Sequence, residues 1–315
     1  MRQRHQKGPR PHFLVLVNRQ ATNYNKNSLR RLTTSIHDRG GLYTIEEPAS
    51  AEELLKQTQL ACGLRRSHQR LPAYMTRRGK VTSLVAAGGD GTVNLVARSA
   101  IEAELPLGIL PLGKNNDIAR SFNPSLDLER SITAITERNY RQIDTMIVDK
   151  KLVVGSMSFG LLVQLQKELG DKAWPRFAFR RTAWGSKIAD SIKIRRVTLK
   201  MDSFRFDIQP TLLNINLLPY SLGLHLSPAS LFDDQQAEII FDVGCSNPVL
   251  GKFISHVYKG EYIYGSEIRL LRGSVIHLHL VGKQQVLIDG ERVQLSVNEV
   301  EMKVGEKRLK LFCYK

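Results

Sequence analysis

The sequence predicts an α/β domain built on a mostly parallel sheet, followed by an antiparallel β-sandwich. Three observations point there. Short apolar runs alternate with helix-spaced segments up to about residue 140. Beyond it, short strand-like runs separated by turn signals dominate. At 315 residues the chain has room for about two domains.

The elements follow in order. Residues 12–17 (HFLVLV) form a short apolar run, as a buried strand does. Residues 26–37 carry helical spacing at Leu29, Leu32 and Ile36. Residues 41–46 read as a strand and 51–60 as a helix, while the basic stretch 65–80 reads as a loop or irregular helix. A strand over 81–87, a helix over 93–101 and a strand over 107–110 come next, then helices over 116–121 and 128–137. In the second half strands are expected over 142–148, 152–157, 194–201, 204–208, 212–218, 238–243, 275–281, 285–288, 293–297 and 300–304. Residues 167–184 read as a helical or mobile insertion.

Composition narrows the function classes. Apolar content of 42% argues for packed cores and against disorder. The longest apolar runs, 13–17 and 212–218, fall far short of the ~20 residues that cross a bilayer. The basic N-terminus, 1–10, is not followed by a signal-peptide core or cleavage pattern. A cytoplasmic location is therefore expected. Cys62, Cys245 and Cys313 lie far apart, without metal-ligand spacing, which fits a reducing compartment. The net charge of +16 attracts polyanions, whether nucleic acid, anionic membrane or phosphorylated ligand. No nucleic-acid motif accompanies it, so no nucleic-acid partner is expected. His277 and His279 alternate on a strand, where packing or solvent is the commoner fate than metal.

Two turns carry the chemistry. The first, Gly88-Gly89-Asp90-Gly91-Thr92, joins a predicted strand to a predicted helix. Glycines let the backbone approach a ligand closely, and turn amides with a helix N-terminus face an anion. The Gly-Lys-Ser/Thr ending of a Walker A loop is absent. An ordinary turn capped by Asp90 or Thr92 explains the pattern equally well. The second turn, Pro111 to Asp117 (PLGKNND), has the same strand-to-helix setting, and Asn116 or Asp117 can cap it. Two such turns on one sheet can face a shared crevice.

Together GGDGTVN (88–94) and PLGKNNDIAR (111–120) resemble the diacylglycerol kinase catalytic family, which includes bacterial lipid kinases and sphingosine and ceramide kinases. Further matches keep the family's order. They are Ile143-Asp144, Ser158-Phe159-Gly160, Ser227-Pro228-Ala229 with Asp233-Asp234, and Asp289-Gly290-Glu291. The resemblance runs from about Asn18 to Glu291. It implies a two-domain architecture like that of NAD kinases and diacylglycerol kinases. An α/β ATP-binding domain would span 11–141, with 309–315 returning to it, and a β-sandwich lipid-binding domain would span 142–308. The active site is expected in the cleft between them.

The resemblance also implies roles. Gly88, Gly89, Gly91 and Thr92 would hold ATP phosphates, with Gly113 and Asn116 of the second turn and Asn18 beside the nucleotide; Lys114, where the family has another residue, would either contact phosphate or disturb the site. Asp90, Asp117 and Asp144 would form an acidic network linked to Mg²⁺, and Asp234 a metal site in the sandwich. Asp289 would be the general base for a lipid hydroxyl, with Glu291 close by. These residue types suit phosphoryl transfer, which needs positioning and charge neutralisation. A carboxylate can take the proton as an alcohol attacks. Read alone, Asp289-Gly290 is also a hairpin-turn signal.

The chain departs from the family at Arg19, Leu95, Lys114, Asn115 and Gln235. There the family usually has Pro, Glu, Thr, Gly and Gly. The expected activity is transfer of the ATP γ-phosphate to a lipid hydroxyl, of diacylglycerol or a related lipid. A soluble kinase of the NAD kinase type and a nucleotide- or lipid-binding regulator without turnover are the alternatives. Arg176, Arg180, Arg181, Lys187, Lys193, Arg195, Arg196 and Lys200 share a segment with Trp174, Phe177, Phe179 and Trp184. That mixture suits peripheral contact with an anionic membrane, or a solvated loop over core aromatics. Homo-oligomerisation is left open.

Overall fold

A computed structural model of the chain describes residues 10–64, 80–170, 178–192, 196–244, 246–261 and 267–314. The expected loop over 65–79, the N-terminal stretch 1–9, and Trp174, Arg176, Phe177, Lys193, Ile194, Arg195 and Cys245 lie outside them. The chain divides into two compact units. Their bounds are Met1–Gln142 with Leu309–Lys315, and Ile143–Arg308.

The first unit alternates as its apolar pattern requires. Strand β1 (His12–Val17) leads to α1 (Lys26–Asp38), β2 (Leu42–Glu46) and α2 (Ala51–Ala61). Then come β3 (Ser83–Gly88), α3 (Asp90–Glu102), β4 (Leu107–Pro111), α4 (Asp117–Phe122), α5 (Leu128–Glu137) and β5 (Tyr140–Asp144). The sheet order is β2-β1-β3-β4, then the last strand of the chain, Arg308–Phe312, then β5. β1 pairs in parallel with β2 and β3, and β4 with β3 and with Arg308–Phe312. Every residue of β1 and β3 is buried, as continuous apolar strands covered on both faces must be. On one face Phe13, Val15 and Val85 pack with Leu32 and Ile36 of α1 and Ile132 and Ile135 of α5. Side-chain caps start three of the helices, from Asn25, Ser50 and Asp127.

The second unit has a six-stranded and a four-stranded sheet. The first runs Ile268–Gly273, Ala237–Asp242, Leu212–Asn216, Ser156–Gly160, Gln285–Ile288, Glu291–Gln294. The second runs Phe204–Ile208, Val197–Met201, Val275–Leu280, Glu299–Lys303. The pairings described in both are antiparallel. Alternate residues such as Met157, Leu213, Ile215, Ile239 and Phe241 meet Leu199, Ile276, Leu278 and Met302 in one apolar core. That is the expected sandwich.

The other face of the six-stranded sheet is covered by helices, of which the reading of 167–184 as a helical or mobile insertion caught only part. Leu161–Leu169, Ala178–Asp190 and Asn247–Tyr258 pack Leu162, Leu165, Ile188, Leu250 and Ile254 against Leu212, Ile240 and Leu287. Two helical glycines explain one contact. A Cβ on Gly251 would overlap the backbone at Thr182, and one on Gly185 would lie 3.1 Å from Gly251 Cα. The two helices therefore touch backbone to backbone. Two expected strands, 142–148 and 152–157, are each broken. The strands are Tyr140–Asp144 and Met146–Val148, then Lys151–Val153 and Ser156–Gly160. Asp149 and Lys150 between the inner pair have φ of 45° and 64°, the left-handed geometry of a tight hairpin. The strand expected over 293–297 is Glu291–Gln294 instead, because it starts directly after a two-residue turn.

The turns after β3 and β4 meet in the first unit. Gly88 pairs with Pro111, and Leu112 N donates to Gly88 O at 2.9 Å. A Cβ on Gly113 would fall under 3.0 Å from Gly89 Cα, and one on Gly89 would lie 3.1 Å from Gly113 Cα. Gly113→Ala should therefore destabilise the first unit by about 3 kcal/mol, because the obstacle is backbone and cannot rotate away. Gly89→Ala, tight but not overlapping, should cost less. Thermal denaturation of both variants checks the order.

Candidate active site

The first turn is wound further into the helix than its sequence suggests. The helix expected from residue 93 begins at Asp90, with Gly89 as N-cap, so Asp90, Gly91 and Thr92 form its first turn. Thr92 sits so close to Gly88 that a Cβ at 88 would overlap its side chain. Asn18, just past β1, donates from Nδ2 to Thr92 Oγ1 at 3.3 Å. Its Oδ1 accepts from Gln20 N at 2.9 Å, closing a local turn. Asn18, Gly88, Gly89, Gly91 and Thr92 thus share one corner of the sheet.

The second turn is held by amides rather than by caps. Asn116 Oδ1 accepts from Gly113 N, and its Nδ2 donates to Gly113 O, both at 2.8 Å. Asn116 adopts φ 53°, so the left-handed residue of this turn is Asn116, while neither Lys114 nor Asn115 has positive φ. Asparagine tolerates that region better than most residues. The glycine replaced by Asn115 is therefore not needed for backbone freedom here. Asn23 was missed from sequence. Its Nδ2 donates to Gly113 O at 2.6 Å and its backbone N to Leu112 O at 2.8 Å. Only its closeness in sequence to Asn18 hinted at it.

Asp90 ties the turns together. Its Oδ1 accepts from Ile118 N at 2.9 Å, so it caps the short helix that Asp117 begins. Asp117 is buried, with a relative exposure of 7%. Two carboxylates thus sit at adjoining helix starts, beside glycine turns whose amides and positive helix end suit an anion. Lys114 is half-buried on the same turn.

In the second unit, Asp289 and Gly290 form the two-residue turn between Gln285–Ile288 and Glu291–Gln294, with φ of 48° and 82°. The hairpin reading of this dipeptide therefore holds, and the turn also buries the Asp289 carboxylate. Asp289 Oδ1 accepts from Gly155 N at 2.7 Å and Ser156 N at 3.0 Å, and Oδ2 from Val154 N at 2.9 Å. Three main-chain amides fix its orientation. Glu291 is exposed on the following strand.

Asp144 and Asp234 belong to a different part of that unit. Asp144 is buried, with Oδ1 on Arg308 Nε at 2.8 Å and Oδ2 on Gln235 N at 2.6 Å. Asp234 Oδ1 accepts from Gln236 N at 3.0 Å, and its Oδ2 is paired with Arg272. Arg308 and Arg272 had no sequence signal. Among the described residues no group of three or more His, Cys, Asp or Glu could hold a metal ion. Cys62 and Cys313 are pushed up to about 11 chiefly by burial, which argues against thiolate chemistry.

Other expected features are placed as follows. Arg181 is buried, its guanidinium 4.2 Å from the Tyr258 ring centroid, and Trp184 packs on the helix-covered core. Arg181 is therefore turned inward, while Trp184 is only partly buried. Arg180, Lys187, Arg196 and Lys200 are exposed. His277 and His279 are exposed and sit 4.0 Å and 3.2 Å from Glu301 and Glu299. Among the described residues no helix is long and apolar enough to cross a membrane.

Known proteins share both the motifs and the fold. The sequence pattern of the diacylglycerol kinase catalytic domain matches residues 12–148. A diacylglycerol kinase of Staphylococcus saprophyticus is 25% identical over 268 residues, covering 78% of this chain and 87% of that one. A diacylglycerol kinase of Bacillus subtilis is 23% identical over 215 residues, covering 66% and 70%. A solved structure of a putative diacylglycerol kinase from Bacillus anthracis superposes with a TM-score of 0.73 at 16% identity, covering 98% of this chain and 99% of that one. Another diacylglycerol kinase structure from the same organism gives 0.70 at 15% identity, covering 98% of each chain. At those identities the structures speak for the fold. Residues 12–148, which carry both glycine turns, are thus similar to the diacylglycerol kinase catalytic domain.

Proposed function

We propose that this protein transfers the γ-phosphoryl group of ATP to the hydroxyl of a lipid, diacylglycerol or a close relative. The observation that carries the proposal is the backbone contact of Gly89 with Gly113, which holds two amide-rich turns and the carboxylates of Asp90 and Asp117 together. Such a corner offers donors to phosphate and acidic oxygens to a cation. The family match over residues 12–148 supports a lipid as the acceptor.

In this reading Gly88, Gly89, Gly91 and Thr92 cradle the nucleotide's phosphates at the start of α3, and Asn18 orients Thr92. Gly113 and Asn116 form the opposite wall, and Lys114 reaches a phosphate oxygen. Asp90 and Asp117 fit Mg²⁺, which takes oxygen ligands and keeps several waters. The ion would supply charge neutralisation on the phosphates during transfer. Asp289, clamped by three amides, accepts the proton from the lipid hydroxyl. The O–H bond breaks, the hydroxyl oxygen bonds the γ-phosphorus, and ADP leaves. Glu291 lies one residue beyond the turn and adds negative charge to that hairpin.

The exposed cations Arg180, Lys187, Arg196 and Lys200 support peripheral attachment to an anionic bilayer, consistent with the net charge of +16. A soluble acceptor such as NAD is the rival reading, since NAD kinases share the first turn. PLGKNNDIAR (111–120) favours the lipid branch.

The test incubates folded protein with ATP, Mg²⁺ and a lipid panel, with NAD in parallel. Phosphorylation of a lipid is expected. Phosphorylation of NAD alone, or of nothing, would reject the proposal. Asp289→Asn should lower kcat about 100-fold or more while the protein stays folded. Lys114→Met should raise KM for ATP about tenfold, equivalent to ~1.4 kcal/mol, and change kcat little.

A further inference from the structure

The second unit's acidic loop is bound by arginines where a metal ion was expected. Asp144 closes β5 with a side chain only 1% exposed. Arg308 donates from Nε to Asp144 Oδ1 at 2.8 Å and from Nη2 to the main-chain carbonyl of Asp233 at 3.0 Å. One guanidinium thus joins a buried carboxylate to a carbonyl of the neighbouring loop. Carboxylate and carbonyl oxygens are the donors a hard divalent cation would take. Asp144 Oδ2 is also engaged, by Gln235 N at 2.6 Å. Gln235 holds φ 59°, at the position where the family's glycine would sit unstrained.

A second arginine repeats the arrangement. Arg272 pairs with Asp234 and lies with Nε 3.6 Å from Glu238 Oε1. Glu238 is directly opposite Arg272 across the paired strands. Its side chain is 1% exposed, and its other oxygen accepts from Ser227 Oγ. Three carboxylates, Asp144, Asp234 and Glu238, therefore meet two fixed guanidinium groups. Unpaired buried carboxylates would be costly, so these arginines hold the loop. The main chain reinforces it, with Asp144 N on Phe232 O at 2.7 Å and Gly305 N on Thr145 O at 3.0 Å.

We propose that Arg308 and Arg272 are built-in counter-cations that occupy the place of a divalent ion in the second unit, so that no Mg²⁺ binds at Asp144 or Asp234. The divalent requirement of the protein is then confined to Asp90, Asp117 and the nucleotide. A guanidinium is always charged and cannot be removed by a chelator, so the second unit keeps its acidic loop closed in any divalent concentration.

The test measures melting of nucleotide-free, chelator-treated full chain with and without millimolar MgCl₂ or CaCl₂. Wild-type protein should shift by less than about 1 °C, since a state-specific ligand would raise Tm. Arg308→Gln should melt about 5–10 °C lower, because it leaves a buried carboxylate without its cation. Divalent ions should recover part of that loss. The recovery should vanish in Asp144→Asn/Arg308→Gln, whose remaining side chain is neutral. A divalent-dependent rise in wild-type Tm that disappears in Asp144→Asn or Asp234→Asn would overturn the proposal. So would a variant that ignores divalent ions. If Arg308→Gln does not fold, the same comparison on Arg272→Gln decides, since its partner Asp234 is less buried than Asp144.

Discussion

The contact between Gly89 and Gly113 is the constraint on which the first unit's site depends. A Cβ on Gly113 would overlap Gly89, and one on Gly89 would be tight against Gly113. Because they touch, the starts of α3 and α4 come together, and Asp90 can reach across to cap α4 through Ile118 N at 2.9 Å. Because Gly113 is fixed, Asn116 and Asn23 can both hold its carbonyl. Each of these bonds alone is worth about 1 kcal/mol. Their joint effect is a hydrogen-bonded, amide-lined corner, the kind of preorganised arrangement that the proposed phosphoryl transfer asks of a protein.

The second unit fixes its carboxylates in two different ways. Asp289 is held by neutral main-chain amides of Val154, Gly155 and Ser156, which orient it without cancelling its charge. Asp144 is held by a guanidinium, which does cancel it. The first arrangement keeps a charged carboxylate in one orientation. The second suits a structural tie. Two acidic residues that look alike in sequence thus separate by the chemistry of their donors.

Much of the first unit was legible because continuous apolar strands bounded by glycine or polar turns leave few alternatives, as 12–17 and 107–110 show. The helix after the first turn began three residues early, since Asp90 to Thr92 look like a loop in sequence yet lie in the helix. The helix Asn247–Tyr258 was unread although Leu250, Phe253, Ile254 and Val257 are all buried along it. Pro248 and Gly251 resemble breakers, but the proline sits in the first turn and the glycine serves a close helix contact. Arg308 and Arg272 could not be read at all. Their partners lie 164 and 38 residues away, and nothing local marks an arginine as the one that will pair with a carboxylate so distant in sequence. That the turn does without a glycine at Asn115 was also hidden, because it depends on which residue of the turn takes positive φ.

In the proposed function, the corner formed by Gly89 and Gly113 delivers a phosphoryl group to a lipid hydroxyl. The most direct measurement follows ADP release and phosphorylated lipid together, in one reaction with ATP, Mg²⁺ and diacylglycerol in detergent micelles. One phosphorylated lipid for each ADP is the predicted result. ADP released without any phosphorylated lipid, or a phosphate found on a soluble acceptor instead, would contradict the account.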